Sequence, residues 1–180
     1  DTVWAEVAKE TLKEGANIIN DISAGQFDDE LFKVIGQTKA PYILTHTPST
    51  PDNMQEKTNY NNIFLDISKY FADKIEILRN MGVVDIILDL GFGFGKTIDQ
   101  NYFLLNHIDD FKTFGLPILT GISRKTMIHK PLEITPQQAL NGTTFLHAFA
   151  LMNSSNILRV HDVKEAKQCV QLFKLIENNK

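Results

Sequence analysis

Polar residues stand at or just past the close of five short apolar runs: Asn20, His46, Asp89, Lys125, and Arg159 with His161. Together they offer carboxylate and amide groups for neutral donors and acceptors, and cations for anionic oxygen. Arg159 and His161 flank Val160, so in a strand both side chains would leave the same side. The planar fork of arginine suits phosphate, and an imidazole beside it adds a second donor. The same arginine could instead pair with Asp162 in a structural ion pair. Asp89 closes IILD and, as a carboxylate, could accept two parallel N–H bonds. Its plainer alternative is a helix-capping or turn aspartate. For Asn20 that alternative is a capping asparagine, for Lys125 a solvated lysine at a helix start, and for His46 a packing residue.

The segment IILDLGFGFGKTID at 86–99 places three glycines after an apolar run. A phosphate cradle of the form G-x-x-x-x-G-K-[ST] would need glycine where Leu90 stands. A dinucleotide fingerprint needs G-x-G-x-x-G, whereas Gly91, Gly93 and Gly95 are spaced G-x-G-x-G. Neither motif is present, so these glycines serve a tight backbone turn.

Bulk properties exclude several classes. With 180 residues, 43% hydrophobic and 22% charged, the chain suits one soluble domain or most of a larger one. A net charge of −4 disfavours a nucleic-acid or anionic-membrane partner. The longest apolar run, 145–152, includes His147 and is far shorter than the roughly 20 residues of a membrane span. The single Cys169 cannot form an internal disulfide; it lies in a helical apolar stripe and is expected to be an inert core thiol. A reducing cytoplasm fits this usage. His107, His129 and His147 have no partner at metal-ligand spacing. The chain opens on Asp1 without methionine, so sequence upstream is expected.

The elements that must position these residues alternate along the chain. Apolar runs at 16–21, 41–46, 84–89, 116–125 and 156–162 read as strands. Between them, 63–81 follows a helical period through Ile63, Ile67, Tyr70, Phe71, Ile75 and Leu78, and 2–14 does likewise before Gly15. Continuous apolar strands alternating with helices define an α/β fold with a parallel sheet. Polar groups at five successive strand ends favour a (β/α)8 barrel, which gathers such ends on one face, over an open sheet with one crevice. Five βα units are present where a barrel needs eight, so 1–180 is expected to be a single partial barrel domain lacking N-terminal strands.

Several segments, in order and over nearly the whole chain, resemble the dihydropteroate synthase family. They are DTVWAEVAKE, GANIINDIS, PYILTHT, DIILDLGFGFGKT, LPILTGISRKTMI, ALNGTT and ILRVHDVKEA. The resemblance implies a pterin-binding barrel of the cytoplasm that joins dihydropterin diphosphate to p-aminobenzoate and releases pyrophosphate. It implies pterin contacts from Asp1, Asn20, Asp89 and Lys125, and diphosphate contacts from Arg159 and His161. Phe94 and Thr126, with Lys125, would meet p-aminobenzoate; Phe94 is expected to be exposed enough to pack on that ring, and Phe92 to pack inward. Lys125, Arg159 and His161 would carry the chemistry, and Ser123 and Arg124 would line the same mouth, Ser123 also suiting a helix cap. Lys96 reads as structural or solvated. Magnesium is implied, with its ligand expected upstream of Asp1 and no metal ligand in this chain, and the assembly implied is a homodimer. The pattern departs where Thr45 replaces a usual methionine and Leu90 a usual proline. Alternatives are a pterin-binding paralogue without catalysis, and a pterin-dependent methyltransferase for which the cationic residues would have no purpose.

Overall fold

Each apolar run forms a strand, and each strand is shorter than the run that contains it. A computed structural model describes residues 1–48 and 58–179. Most of the polar connection at 47–62 lies outside the described residues. The chain packs internally as two units, Asp1–Gly95 and Lys96–Lys180.

In the first unit the strands are β1 (Ile19–Asp21), β2 (Tyr42–Thr45) and β3 (Ile86–Asp89), with helices α1 (Ala5–Lys13), α2 (Leu31–Thr38) and α3 (Ile63–Asn80). The strands pair in parallel: Asn20 lies opposite Ile43, and Thr45 opposite Asp89. Tyr42, Leu44, Ile86 and Leu88 are all at most 1% exposed, which is why these strands are uninterrupted apolar runs. The helical period of 63–81 is realised, with Ile67, Phe71 and Leu78 completely buried. Asn62 caps α3 by accepting the Leu65 N–H.

Helix α1 starts at Ala5 rather than at Thr2. Asp28, 23 residues downstream, fixes that start by accepting the Ala5 N–H at 2.7 Å. Gly15 ends the helix as expected, at φ +100°, with Gly15 N–H bonded to Leu12 O and Ala16 N–H to Thr11 O.

The end of β1 rests on Asp21, a fully buried carboxylate. Its Oδ1 accepts the Ser23 N–H and Ser23 Oγ–H, both at 2.6 Å. Its Oδ2 accepts the Gly25 N–H at 2.8 Å and the Tyr42 hydroxyl at 2.6 Å. These bonds hold Ala24, a left-handed residue at φ 51°. Burial and the neighbouring carboxylate push the Tyr42 phenol well above its usual range, so it remains a donor at neutral pH.

The second unit contains α4 (Ile98–Asn106), β4 (Ile118–Thr120), α5 (Thr126–His129), α6 (Leu140–Met152), β5 (Ile157–Leu158) and α7 (Val163–Glu177). β4 and β5 are parallel, with Leu119 opposite Ile157. Thr97 and Gln100 form a reciprocal capping box at the start of α4. β5 stops at Leu158, earlier than the sequence pattern suggests. The Arg159 N–H still reaches Thr120 O at 3.0 Å, but the His161 N–H turns to the Ser123 hydroxyl instead of a strand carbonyl. Arg159 and His161 therefore extend from a loop, and strand alternation does not set their directions. No described helix is long and apolar enough to cross a membrane.

Replacing Tyr42 by Phe removes one of the four donors to a fully buried carboxylate. Tyr42→Phe is expected to lower unfolding free energy by about 1–3 kcal/mol in urea denaturation. An unchanged midpoint would show that the Asp21 arrangement is not stabilising.

Candidate functional site

The residues expected to form the site fall into two groups, one in each unit. In the first, the parallel register places Asn20 beside Ile43 and Thr45 beside Asp89. Ile43 and Thr45 are two residues apart on β2, so Asn20, Thr45 and Asp89 share one face of the sheet. All three are buried. Asn20 Nδ2 donates to Asp1 Oδ1 at 2.8 Å, joining two expected site residues, while its buried Oδ1 accepts nothing among the described residues. Asp89 Oδ1 accepts the Gly91 N–H at 2.8 Å, so the turn-aspartate alternative is realised on one of its oxygens.

That bond begins the glycine loop. Gly91, Gly93 and Gly95 all adopt left-handed backbone, at φ 66°, 84° and 56°, which accounts for their alternate spacing. The Phe94 N–H closes the turn on Gly91 O, and the Tyr60 hydroxyl donates to Gly95 O, both at 3.0 Å. Phe92 is completely buried, as expected. Phe94 is half-buried, so part of its ring remains accessible. Leu90 is also completely buried.

His46 is a packing residue: it is 4% exposed, and its ring stands edge-on to Tyr70 at 4.8 Å and to Phe71 at 6.3 Å. Tyr70 donates to Thr45 O at 3.3 Å and accepts from Gln26 Nε2 at 3.1 Å. Burial holds the Tyr60 phenol at about 12 and raises that of Tyr70 further.

In the second unit Ser123 organises His161. The buried hydroxyl accepts the His161 backbone N–H at 3.3 Å and lies 3.0 Å from its Nδ1. Which of the two atoms donates is set by the imidazole tautomer, and the contact leaves Nε2 as the ring's other polar atom. Ser123 is thus a positioning residue and not a helix cap; Lys125 occupies the N-cap of α5 and makes no side-chain capping bond. Lys125 is half-buried, and Thr126, Arg159 and His161 are exposed. Lys96 is buried, in keeping with a structural role.

The partner of Asp162 is Arg124, not Arg159. Arg124 makes two parallel bonds to this carboxylate, Nε to Oδ2 at 2.9 Å and Nη2 to Oδ1 at 2.7 Å. Its Nη1 also donates to Pro136 O and Gln137 O. Its backbone is left-handed at φ 56°, and its N–H donates to Thr143 Oγ1 at 3.1 Å. Arg124 is therefore engaged in fixing the loop ahead of α5 and the entry to α7, and does not serve as a free cation. Sequence alone concealed this pair, because 38 residues separate its members.

The remaining titratable residues are ordinary. His107 lies 2.7 Å from Asp110 and stacks on Phe103 at 4.2 Å. His147 is buried, and burial lowers its pKa. Burial raises the Cys169 thiol, which keeps it protonated and unreactive. Among the described residues no group of three or more His, Cys, Asp or Glu gathers as a metal site.

Comparison with known proteins places this chain. The family model for pterin binding enzymes matches residues 1–161. A bifunctional dihydropteroate synthase/dihydropteroate reductase of Helicobacter pylori is 39% identical over 177 residues, covering 98% of this chain and 46% of its own length. A crystal structure of Yersinia pestis dihydropteroate synthase in a sulfonamide drug complex superposes with a TM-score of 0.96 at 36% identity, covering 100% of this chain and 66% of that one. Thermus thermophilus dihydropteroate synthase in complex with 4-aminobenzoate gives a TM-score of 0.93 at 30% identity, covering 97% and 68%. The chain belongs to the pterin-binding enzyme family, and its α/β fold is part of the family's (β/α)8 barrel. Within that family its relatives here are dihydropteroate synthases, and it spans about half to three-fifths of the curated ones it matches.

The hydrogen bonds from Arg124 hold the Asp162 carboxyl below the usual carboxylate range, with the positive charge adding to the effect. A carboxyl depressed on folding stabilises above its unfolded pKa of about 3.9, and that stability is lost as pH falls through the folded value. Arg124→Lys, which cannot make the parallel pair, should raise the Asp162 titration midpoint followed by carboxyl NMR. An unmoved midpoint would refute the assignment.

Proposed function

We propose that the whole protein is a dihydropteroate synthase, joining dihydropterin diphosphate to p-aminobenzoate with release of pyrophosphate. The observation that carries this reading is the face shared by Asn20 and Asp89, buried polar residues of which one offers an acceptor unpaired among the described residues. Such groups suit the donor and acceptor edge of a pterin, and family membership supplies the ligand class.

In this reading Asp89 accepts from the pterin amino group and ring N–H, and Asn20, steadied by Asp1, pairs with the neighbouring edge. Arg159 and the imidazole of His161 bind the diphosphate. Lys125 contacts both pterin and p-aminobenzoate, and Phe94 and Thr126 contact p-aminobenzoate. The amine nitrogen attacks the pterin methylene, the carbon–oxygen bond breaks toward pyrophosphate, and the amine proton passes to solvent. Arg159 and His161 stabilise the charge that grows on the departing diphosphate, the term a protein can most readily supply. Magnesium bound by that diphosphate would add further neutralisation. By family resemblance, its protein ligand is expected upstream of Asp1.

The proposed assembly is a homodimer in the cytoplasm. For the dimer, the support is that α6 and α7 leave Phe145, Met152, Leu172 and Ile176 exposed on one pair of helices, apolar surface suited to a partner.

In the whole protein, Arg159→Ala is expected to lower kcat by about 10²-fold or more, measured as pteroate formation. Asp89→Ala should abolish dihydropterin diphosphate binding in calorimetry. Binding without turnover by the unaltered whole protein would instead identify a non-catalytic paralogue. The 180-residue chain alone is expected to form no pteroate, and robust turnover by it would refute that part of the proposal.

A further inference from the structure

We propose that Thr45 is a specificity-determining residue whose hydroxyl hydrogen-bonds the flat heterocycle held by Asn20 and Asp89. This inference rests on the pterin reading above and adds a contact to it. Thr45 closes β2, directly opposite Asp89 in the parallel register, and shares its sheet face with Asn20. The residue is completely buried, and its Oγ1 has no hydrogen-bond partner among the described residues. The backbone around it is engaged by contrast: Thr45 O accepts the Tyr70 hydroxyl, and the next N–H, of His46, donates to Asp89 O. The strand end is therefore rigid, and the side chain alone is unsatisfied.

A hydroxyl in that state is disfavoured relative to an isosteric methyl group. Valine would fill the same volume on a β-strand without the penalty. Asn20 Oδ1 shows the same condition on the same face, so two unpaired buried oxygens accompany the Asp89 carboxylate. Paired donors and acceptors of this kind match a heterocycle with ring nitrogens and exocyclic amino and oxo groups, and a site built for such bonds rejects rings that lack them. The threonine hydroxyl can donate or accept, so it serves an edge on which the acceptor-only Asp89 cannot meet every group.

The test is calorimetry of the whole protein with dihydropterin diphosphate and magnesium, together with thermal melts without ligand. Thr45→Val and Thr45→Ala should weaken binding by about 10-fold, equivalent to about 1.4 kcal/mol. Thr45→Ser, which keeps the hydroxyl, should stay within about 3-fold of the parent, and the ligand-free valine variant should melt no lower than the parent. Parent-like affinity in the valine variant, or a lower melting point with unchanged affinity, would assign the hydroxyl a structural role and overturn the proposal. A separate outcome sinks the pterin reading itself, and this inference with it: undiminished binding by Asp89→Ala, or none by the parent.

Discussion

A carboxylate can sit in a protein interior only if its lone pairs are met, and Asp21 meets that condition through four short bonds. Those bonds come from the loop after β1 and from β2, so one side chain joins a strand end, a left-handed turn and the neighbouring strand. The residue before it is Asn20, whose amide is held in turn by Asp1. Because successive strand residues face opposite sides, the same backbone that anchors Asp21 among the helices presents Asn20 on the other face. The structural anchor and the proposed ligand contact are thus adjacent in sequence and opposed in direction.

The second unit solves a comparable problem with cations. Arg124 is spent on Asp162 and two loop carbonyls, which leaves the loop after β5 fixed where it leaves the sheet. Ser123, its neighbour, aligns His161. One short segment between β4 and α5 therefore supplies both the clamp and the orienting hydroxyl. The cost is a non-glycine residue in left-handed backbone, offset by the charged bonds that the geometry permits.

Much of this was legible in the residues. Fully buried parallel strands announce themselves as unbroken apolar runs, and the period of α3 and the stop at Gly15 follow from local chemistry. Strand ends were less legible, since β5 stops where a serine hydroxyl 38 residues away competes for an N–H. The identity of Asp162's partner was hidden for the same reason: Arg159 is near in sequence, and only packing brings Arg124 to the carboxylate from 38 residues away. Asp21 left a faint signal, an aspartate two residues before serine at a strand end, but its bond to Tyr42 depends on the parallel register. The unsatisfied oxygens of Asn20 and Thr45 could not be read from sequence, because satisfaction is a property of surroundings.

The glycine loop after Asp89 has a further consequence. Its shape is dictated by three positions that carry no side chain, while the intervening positions hold one ring in the core and another half in view. Backbone course and chemical surface are therefore inherited separately. The ring at 94 could be exchanged for another group without refolding the turn, whereas a side chain at any of the three glycines would meet left-handed backbone and disturb its shape. The loop thereby confines evolutionary novelty to a single outward position.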